Sequence, residues 1–297
     1  MNSRHYFKRI RGILRPEELQ DKRAIIIGVG SGGSRVAVEL GRLGVQLLLL
    51  ERSGERIKEH NIIRHILGYA SLGRLKRREM VRYIKNVNPS VRIKTRPMDV
   101  TAEKEALASL VEQWRPDLIV VCTDDEPSKH SVNEVAMRRE IPLVVAGVYD
   151  AGIGGEVIVV RPRSACYGCI AAQTQRPSDL AAQGSAIDYN HLDSDELRST
   201  AALNLDIEQI ASLHSRVALN LLLGGEPDLI GVPPDVNLFI FANRLVPGTF
   251  ARPLHCEFHI VARRQDCLIC GDAPENADAE ARRILDGLHR ASPEPTA

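Results

Sequence analysis

The chain has 297 residues, 44% of them hydrophobic and 26% charged, which is the composition of a globular protein large enough to bury a sizeable core. Lysine plus arginine (39) nearly balance aspartate plus glutamate (38), so no global field marks a nucleic-acid or membrane binder, and basic runs such as Arg74 to Arg78 read as solvated helix faces. No apolar run is long enough to cross a bilayer, the first residues lack a secretory apolar stretch, and six cysteines are too few for a disulfide scaffold, so a cytoplasmic, reducing setting is expected.

In chain order, Ala24-Ile25-Ile26-Ile27 reads as a buried strand, followed by a helix over 32–43 with Val36, Leu40 and Leu43 on one face. Residues 46–50 form the next strand, which ends on Glu51. A basic helix over about 75–87 stops near Asn88-Pro89. A strand over 91–96, a helix over 102–114, an apolar strand over 117–122, a helix over 127–140 and a strand over 142–146 follow. This alternation with apolar strands predicts a parallel sheet covered on both faces. Past Gly147 the rhythm changes. A strand over 156–160 leads into a cysteine pair, and 173–199 is polar and aperiodic, a long crossover connection. A helix over 203–223 precedes two strands, 236–242 and 254–261, which read as antiparallel. Beyond Asp272 the composition predicts one short helix and then disorder.

The chemistry-bearing residues sit at the junctions of these elements. Gly28-Val29-Gly30-Ser31-Gly32-Gly33 joins the first strand to its helix, where Gly28 permits a tight turn, Gly30 lets a phosphate approach and Gly33 lets helix pack on strand. Glu51, at the end of the second strand, is placed to accept both ribose hydroxyls, a role shared by NAD and ATP sites. Asn61, Arg64 and Lys76, gathered soon after that acid, favour a triphosphate: the two cations can neutralise phosphate charge while Asn61 orients an oxygen. Asp124 and Asp125 end another apolar strand on the same sheet edge. Asp124 suits a magnesium ion, and Asp125 suits the N-cap of the following helix. The pairs Cys166/Cys169 and Cys267/Cys270 have the spacing of a closed, structural four-thiolate zinc site. His255 and His259 read as packing or surface residues, and Cys122 and Cys256 as core thiols.

In this order the motifs resemble the ThiF/MoeB/HesA family, bacterial relatives of the ubiquitin-activating enzymes, over roughly residues 1–272. The resemblance implies ATP-dependent adenylation of the C-terminal glycine of a small ubiquitin-like protein with a flexible tail, releasing pyrophosphate. It implies that Asp124 holds magnesium, that Arg64 and Lys76 contact phosphates, and that two copies form a homodimer. It also implies that an N-terminal arginine, Arg4 or its rival Arg9, reaches the ATP of the other copy. Two departures stand out. Family members carry the second of two strand-end acids eight residues before the asparagine, whereas Glu51 stands ten before Asn61; either Glu51 serves, as its strand-end position favours, or Glu55 has shifted into use. The crossover segment also contains no cysteine, which fits the subgroup that stops at the acyl-adenylate.

The expected architecture is therefore α/β: a Rossmann-like doubly wound, mainly parallel sheet extended by antiparallel strands, with a structural zinc site. Its expected parts are an N-terminal arm (1–23), an ATP-binding core (24–165), a zinc-tethered partner-binding half (166–272) and a tail (273–297). The expected activity is adenylyl transfer with ATP and Mg²⁺, and no nucleic-acid or membrane partner. Rival readings are adenylation of a peptide or modified-nucleoside carboxylate, a non-catalytic partner-binding scaffold, and an NAD-dependent oxidoreductase.

Overall fold

The computed structural model describes residues 3–174, 201–224 and 231–271. Most of the expected crossover segment (175–200) and the tail (272–297) lie outside these residues. One eight-stranded sheet organises the chain: β1 (Arg23–Ile27), β2 (Gln46–Glu51), β3 (Ile93–Pro97), β4 (Leu118–Val121), β5 (Leu143–Val148), β6 (Gly154–Val160), β7 (Leu238–Ala242) and β8 (His255–His259). Its order is β3-β2-β1-β4-β5-β6-β7-β8. The five strands up to β5 run parallel, and β6, β7 and β8 are added antiparallel. The chain order reverses between β1 and β4, and there the connections leave opposite faces and open a crevice at the carboxyl ends of the strands.

The helices cover two faces. One layer holds α3 (Ser31–Arg42), α5 (Lys76–Val87) and α9 (Asn204–Leu222); the other holds α6 (Lys104–Trp114), α7 (Glu126–Arg138) and α8 (Tyr167–Gln173). Short helices α1 (Ser3–Tyr6), α2 (Pro16–Gln20) and α4 (Glu59–Ile62) complete the set. Alternate residues of each strand feed alternate layers. Ala24 and Ile26 join the core under α3, α5 and α9, while Ile25 and Ile27 join the core under α6, α7 and α8. All four are at most 2% exposed, and each isoleucine so buried contributes about 1.5–3 kcal/mol. This two-sided burial is why β1, β2 and β4 read as unbroken apolar runs.

Polar contacts fix where the helices begin. Asp125 Oδ1 accepts the N–H of Ser128 at 2.9 Å and caps α7, as its position before Pro127 predicts. Arg35 of α3 reaches Glu208 (2.6 Å) and Asn204 (2.8 Å), tying α9 to the glycine-loop helix. The described residues from 166 to 271 are joined to the first half through β7 and β8, which extend the same sheet, and through α8, whose Tyr167 N–H donates to Asn133 Oδ1 at 2.9 Å. Among the described residues, no helix is long and apolar enough to cross a membrane.

Candidate active site

A cavity of about 360 Å³ opens at the reversal point, floored by the ends of β1, β2, β4 and β5. Its wall contains Gly28, Gly30, Ser31, Gly32, Glu51 and Asp124, together with Arg64 and Lys76. Residues dispersed from Gly28 to Asp124 thus meet on one strand edge.

The three glycines stand in different surroundings. Gly28 has φ +84°, and its N–H donates to Leu50 O at 2.9 Å, closing the turn out of β1. Gly33 packs so tightly that a Cβ there would lie 2.1 Å from Gly28 O and 2.8 Å from Cys122 Cβ. At Gly30 nothing lies within 4 Å of such a Cβ, so the space beside the N-cap of α3 is open to a ligand.

Between these glycines, Val29 is clamped from both sides. Its N–H donates to Glu51 Oε2 at 3.0 Å, and its carbonyl lies 2.8 Å from His65 Nε2. His65 Nδ1 accepts the N–H of Leu67 at 3.1 Å, so the ring proton sits on Nε2 and is donated to Val29. Burial, with smaller repulsion from Lys76 and Arg35, lowers the His65 pKa to about 4 and keeps the ring neutral. Glu51 Oε1 accepts the N–H of Arg52 at 3.1 Å. Burial raises the Glu51 carboxyl, opposed by the Val29 hydrogen bond and by Lys76. Each carboxylate oxygen has one occupied acceptor site and a second still available to a hydroxyl.

Glu55, the rival acid, holds Lys76 Nζ at 2.8 Å and also lines the cavity. Arg64 belongs to the turn after α4 and reaches the wall, whereas Asn61 is not among the lining residues. Asn61 Oδ1 accepts the N–H of Lys58 at 3.0 Å, and its backbone carbonyl accepts the N–H groups of Arg64 (2.9 Å) and His65 (2.8 Å). Its side-chain oxygen thus helps to fold the turn that presents Arg64 and His65. Asp124 and Asp125 both line the cavity, and Asp125 also faces Arg52 at 3.7 Å. Arg4 falls in α1 with its side chain outside the described residues, and Arg9 is exposed.

The remaining thiols separate into two kinds. Cys122 lies in the cavity wall, partly buried and 3.9 Å from His214 Nδ1, and desolvation raises its pKa. Cys256 packs against the sheet core, and burial pushes its thiol up to about 11. Neither environment favours a thiolate nucleophile. Cys166, Cys169, Cys267 and Cys270 instead bring all four sulfurs within 4.8 Å of one another. Pairwise approaches of 3.3, 3.6 and 3.9 Å bracket the ~3.8 Å edge of a tetrahedron with Zn–S of about 2.3 Å, and they exceed the ~2.05 Å of a disulfide. The N–H of Arg264 also points at Cys169 Sγ (3.4 Å), a donor suited to a thiolate. The donor set and spacing fit zinc.

Sequence reasoning did not single out His65, Arg52, Lys129 or Gly147 as site residues. Only His65 carried a signal, as a histidine directly beside Arg64.

The sequence model of the ThiF family matches residues 3–243. The chain belongs to the ThiF family. It is 27% identical over 189 residues to the sulfur carrier protein ThiS adenylyltransferase of Escherichia coli, covering 60% of this chain and 72% of the relative. It is 26% identical over 278 residues to the sulfur carrier protein adenylyltransferase of Thermus thermophilus, covering 88% of each. The microcin C7 biosynthetic enzyme MccB, solved in complex with N-formylated MccA, shares the fold with a TM-score of 0.67 at 16% identity, covering 91% of this chain and 76% of that one.

Proposed function

We propose that this ThiF-family chain binds ATP in the β1–β4 crevice and adenylates the C-terminal carboxylate of a small ubiquitin-like protein, of the sulfur-carrier or conjugation kind. The observation that carries this reading is the convergence of the glycine loop, Glu51, Arg64, Lys76 and Asp124 on one cavity. A hydride-transfer site has no use for the two cations and the extra carboxylate, and a triphosphate site uses all three. In this reading Glu51 takes the ribose hydroxyls and the open space at Gly30 takes the phosphates over the N-terminus of α3. Arg64 and Lys76 meet phosphate oxygens, with Lys76 exchanging Glu55 for the ligand. Asn61 acts through the turn it folds. Asp124 is the residue that would hold Mg²⁺, an ion that takes one or two carboxylates besides phosphate oxygens and water and that would add positive charge at the phosphates.

A carboxylate oxygen of the partner then attacks the α-phosphorus as the bond to the bridging oxygen breaks, and the electron pair leaves on pyrophosphate. No proton need move, so the protein's contribution is positioning and charge neutralisation. The partial burial of Cys122 and Cys256, which raises both thiols, supports a reaction that ends at the acyl-adenylate. We also assign the exposed Ile13, Ile63 and Tyr69 near the N-terminal arm and α4 to contact with a second copy of the chain. The test is ATP–pyrophosphate exchange with purified protein and each candidate ubiquitin-like partner. Exchange should require the partner and be lost in Asp124→Ala while the variant still folds. Partner-independent exchange, or full activity in Asp124→Ala, would overturn the reading.

A further inference from the structure

The nucleotide roles leave unused one buried titratable side chain that touches the glycine loop. His65 is 6% exposed and does not line the cavity, yet its Nε2–H holds the Val29 carbonyl at 2.8 Å. The residue is itself fixed at two points. Its Nδ1 takes the Leu67 N–H at 3.1 Å, and its backbone N–H donates to Asn61 O at 2.8 Å, which locks it into the turn that carries Arg64. A core histidine can satisfy its ring N–H with any acceptor. This one is directed at the peptide unit that enters the N-cap of α3.

The Val29 carbonyl and the Gly30 N–H belong to that single peptide unit, which is planar and trans, so the two groups point in opposite directions. Holding the carbonyl on His65 therefore aims the Gly30 N–H away from the buried turn. Val29 is fully buried, whereas Gly30 belongs to the cavity wall and has open space where a Cβ would stand. No group among the described residues accepts the Gly30 N–H. The neighbouring groups of the loop are already engaged. Glu51 Oε2 holds the Val29 N–H at 3.0 Å, and Gly30 O accepts the Ser34 N–H at 2.9 Å as the first bond of α3. Between these two anchors, His65 sets the orientation of the remaining peptide.

This deepens the adenylation reading and rests on it. We propose that His65 is a positioning residue that presents the Gly30 N–H to a phosphate of the bound nucleotide. The ring touches neither nucleotide nor partner and acts through the Val29–Gly30 peptide. Without it, a buried carbonyl loses its donor, and the peptide turns to find another because an unpaired buried carbonyl is costly. That turn carries the Gly30 N–H off its phosphate. The loss therefore falls on the phosphates and spares the nucleoside, whose ribose is assigned to Glu51.

The test compares ATP with adenosine, by competition against a fluorescent ATP analogue, in wild type, His65→Leu and His65→Gln. Leucine has no donor, whereas the glutamine amide offers an N–H to Val29 and an oxygen to the Leu67 N–H, as the imidazole pairs one donor with one acceptor. His65→Leu is expected to weaken ATP binding about 10-fold while adenosine stays within about twofold, and His65→Gln to recover ATP affinity to within about threefold of wild type. A second measurement needs no variant of His65. In NMR spectra of glycine-labelled wild type, the Gly30 amide, identified by its loss in Gly30→Ala, should move downfield with ATP and stay in place with adenosine. Four results each overturn the positioning role alone: equal losses for ATP and adenosine, unchanged ATP binding in His65→Leu, a glutamine variant as weak as the leucine one, or a Gly30 amide indifferent to ATP. A wild type that binds ATP no better than adenosine overturns it together with the adenylation reading.

Discussion

The three glycines of the loop separate a fold requirement from a ligand requirement, and alanine at each position should show it. Gly33→Ala places a Cβ 2.1 Å from a backbone oxygen, so α3 must move away from β1. Overpacking of this kind costs about 1–3 kcal/mol, and a backbone obstacle that cannot rotate aside puts it at the upper end. Gly28→Ala forces a left-handed φ of +84° on an L-residue, about 1–2 kcal/mol, besides 3.1 Å contacts to Cys122 O and Thr123. Gly30→Ala meets nothing within 4 Å and should change stability by no more than about 0.5 kcal/mol. With roughly 2–4 °C per kcal/mol in a chain of this size, Tm should fall by about 6–12 °C, 2–8 °C and under 2 °C respectively. Calorimetric titration with ATP should then show Gly30→Ala losing affinity at near-native Tm. If Gly30→Ala binds ATP normally, or if Gly30→Ala and Gly33→Ala lower Tm equally, the division of labour among the glycines is wrong.

Removing zinc with a strong chelator, or substituting Cys267→Ser, should lower Tm and free the contact between α8 and the turn at 267–270, and metal analysis should find about one zinc per chain. Glu55→Gln should tighten ATP binding about two- to fivefold in a titration, because the exposed Glu55 carboxylate no longer competes for the Lys76 ammonium; unchanged or weaker binding would detach Lys76 from the phosphates. Stability should fall as pH drops from about 6.5 toward 4. His65 and His214 are buried neutral with pKa near 4 against an ordinary 6.5, so only the unfolded chain takes up their protons in that window. Each contributes about 3 kcal/mol that is fully present above pH 6.5 and gone by pH 4, and urea midpoints in His65→Gln should show a shallower decline.

Much of the fold could be read directly because β1, β2, β4 and β5 are buried on both faces, and such strands cannot conceal their character. The glycine loop, the acid ending β2 and the Thr123-Asp124 edge were legible for a related reason: they sit where strand gives way to helix, and only a few residue types fit there. The four cysteines were legible because thiolate spacing has few other uses. Asn61 was harder. Its position in the chain suits a ligand contact, but an Asn three residues after a helix start can also fold back on the N-cap N–H, and here it does so. Lys129 was hidden for the opposite reason. On paper it is a lysine on an amphipathic helix, and nothing local says that Glu126, Tyr167 and a glycine of a different strand enclose it.

The cavity wall also shows why no net charge announced the site. Its cations are Arg52, Arg64, Lys76 and Lys129, and its carboxylates are Glu51, Glu55, Asp124 and Asp125, four against four. A neutral wall gives a triphosphate no overall pull, so selectivity has to come from where each charge stands. In the proposed reading Arg64 and Lys76 meet the phosphates, while Lys129 lies in the wall on α7 and Glu51 is held toward the loop by Val29. The charge still missing for a bound triphosphate is what the divalent ion assigned to Asp124 would supply. Balanced in this way, the empty cleft avoids the self-repulsion of crowded like charges and still presents opposite signs to the ribose and the phosphates.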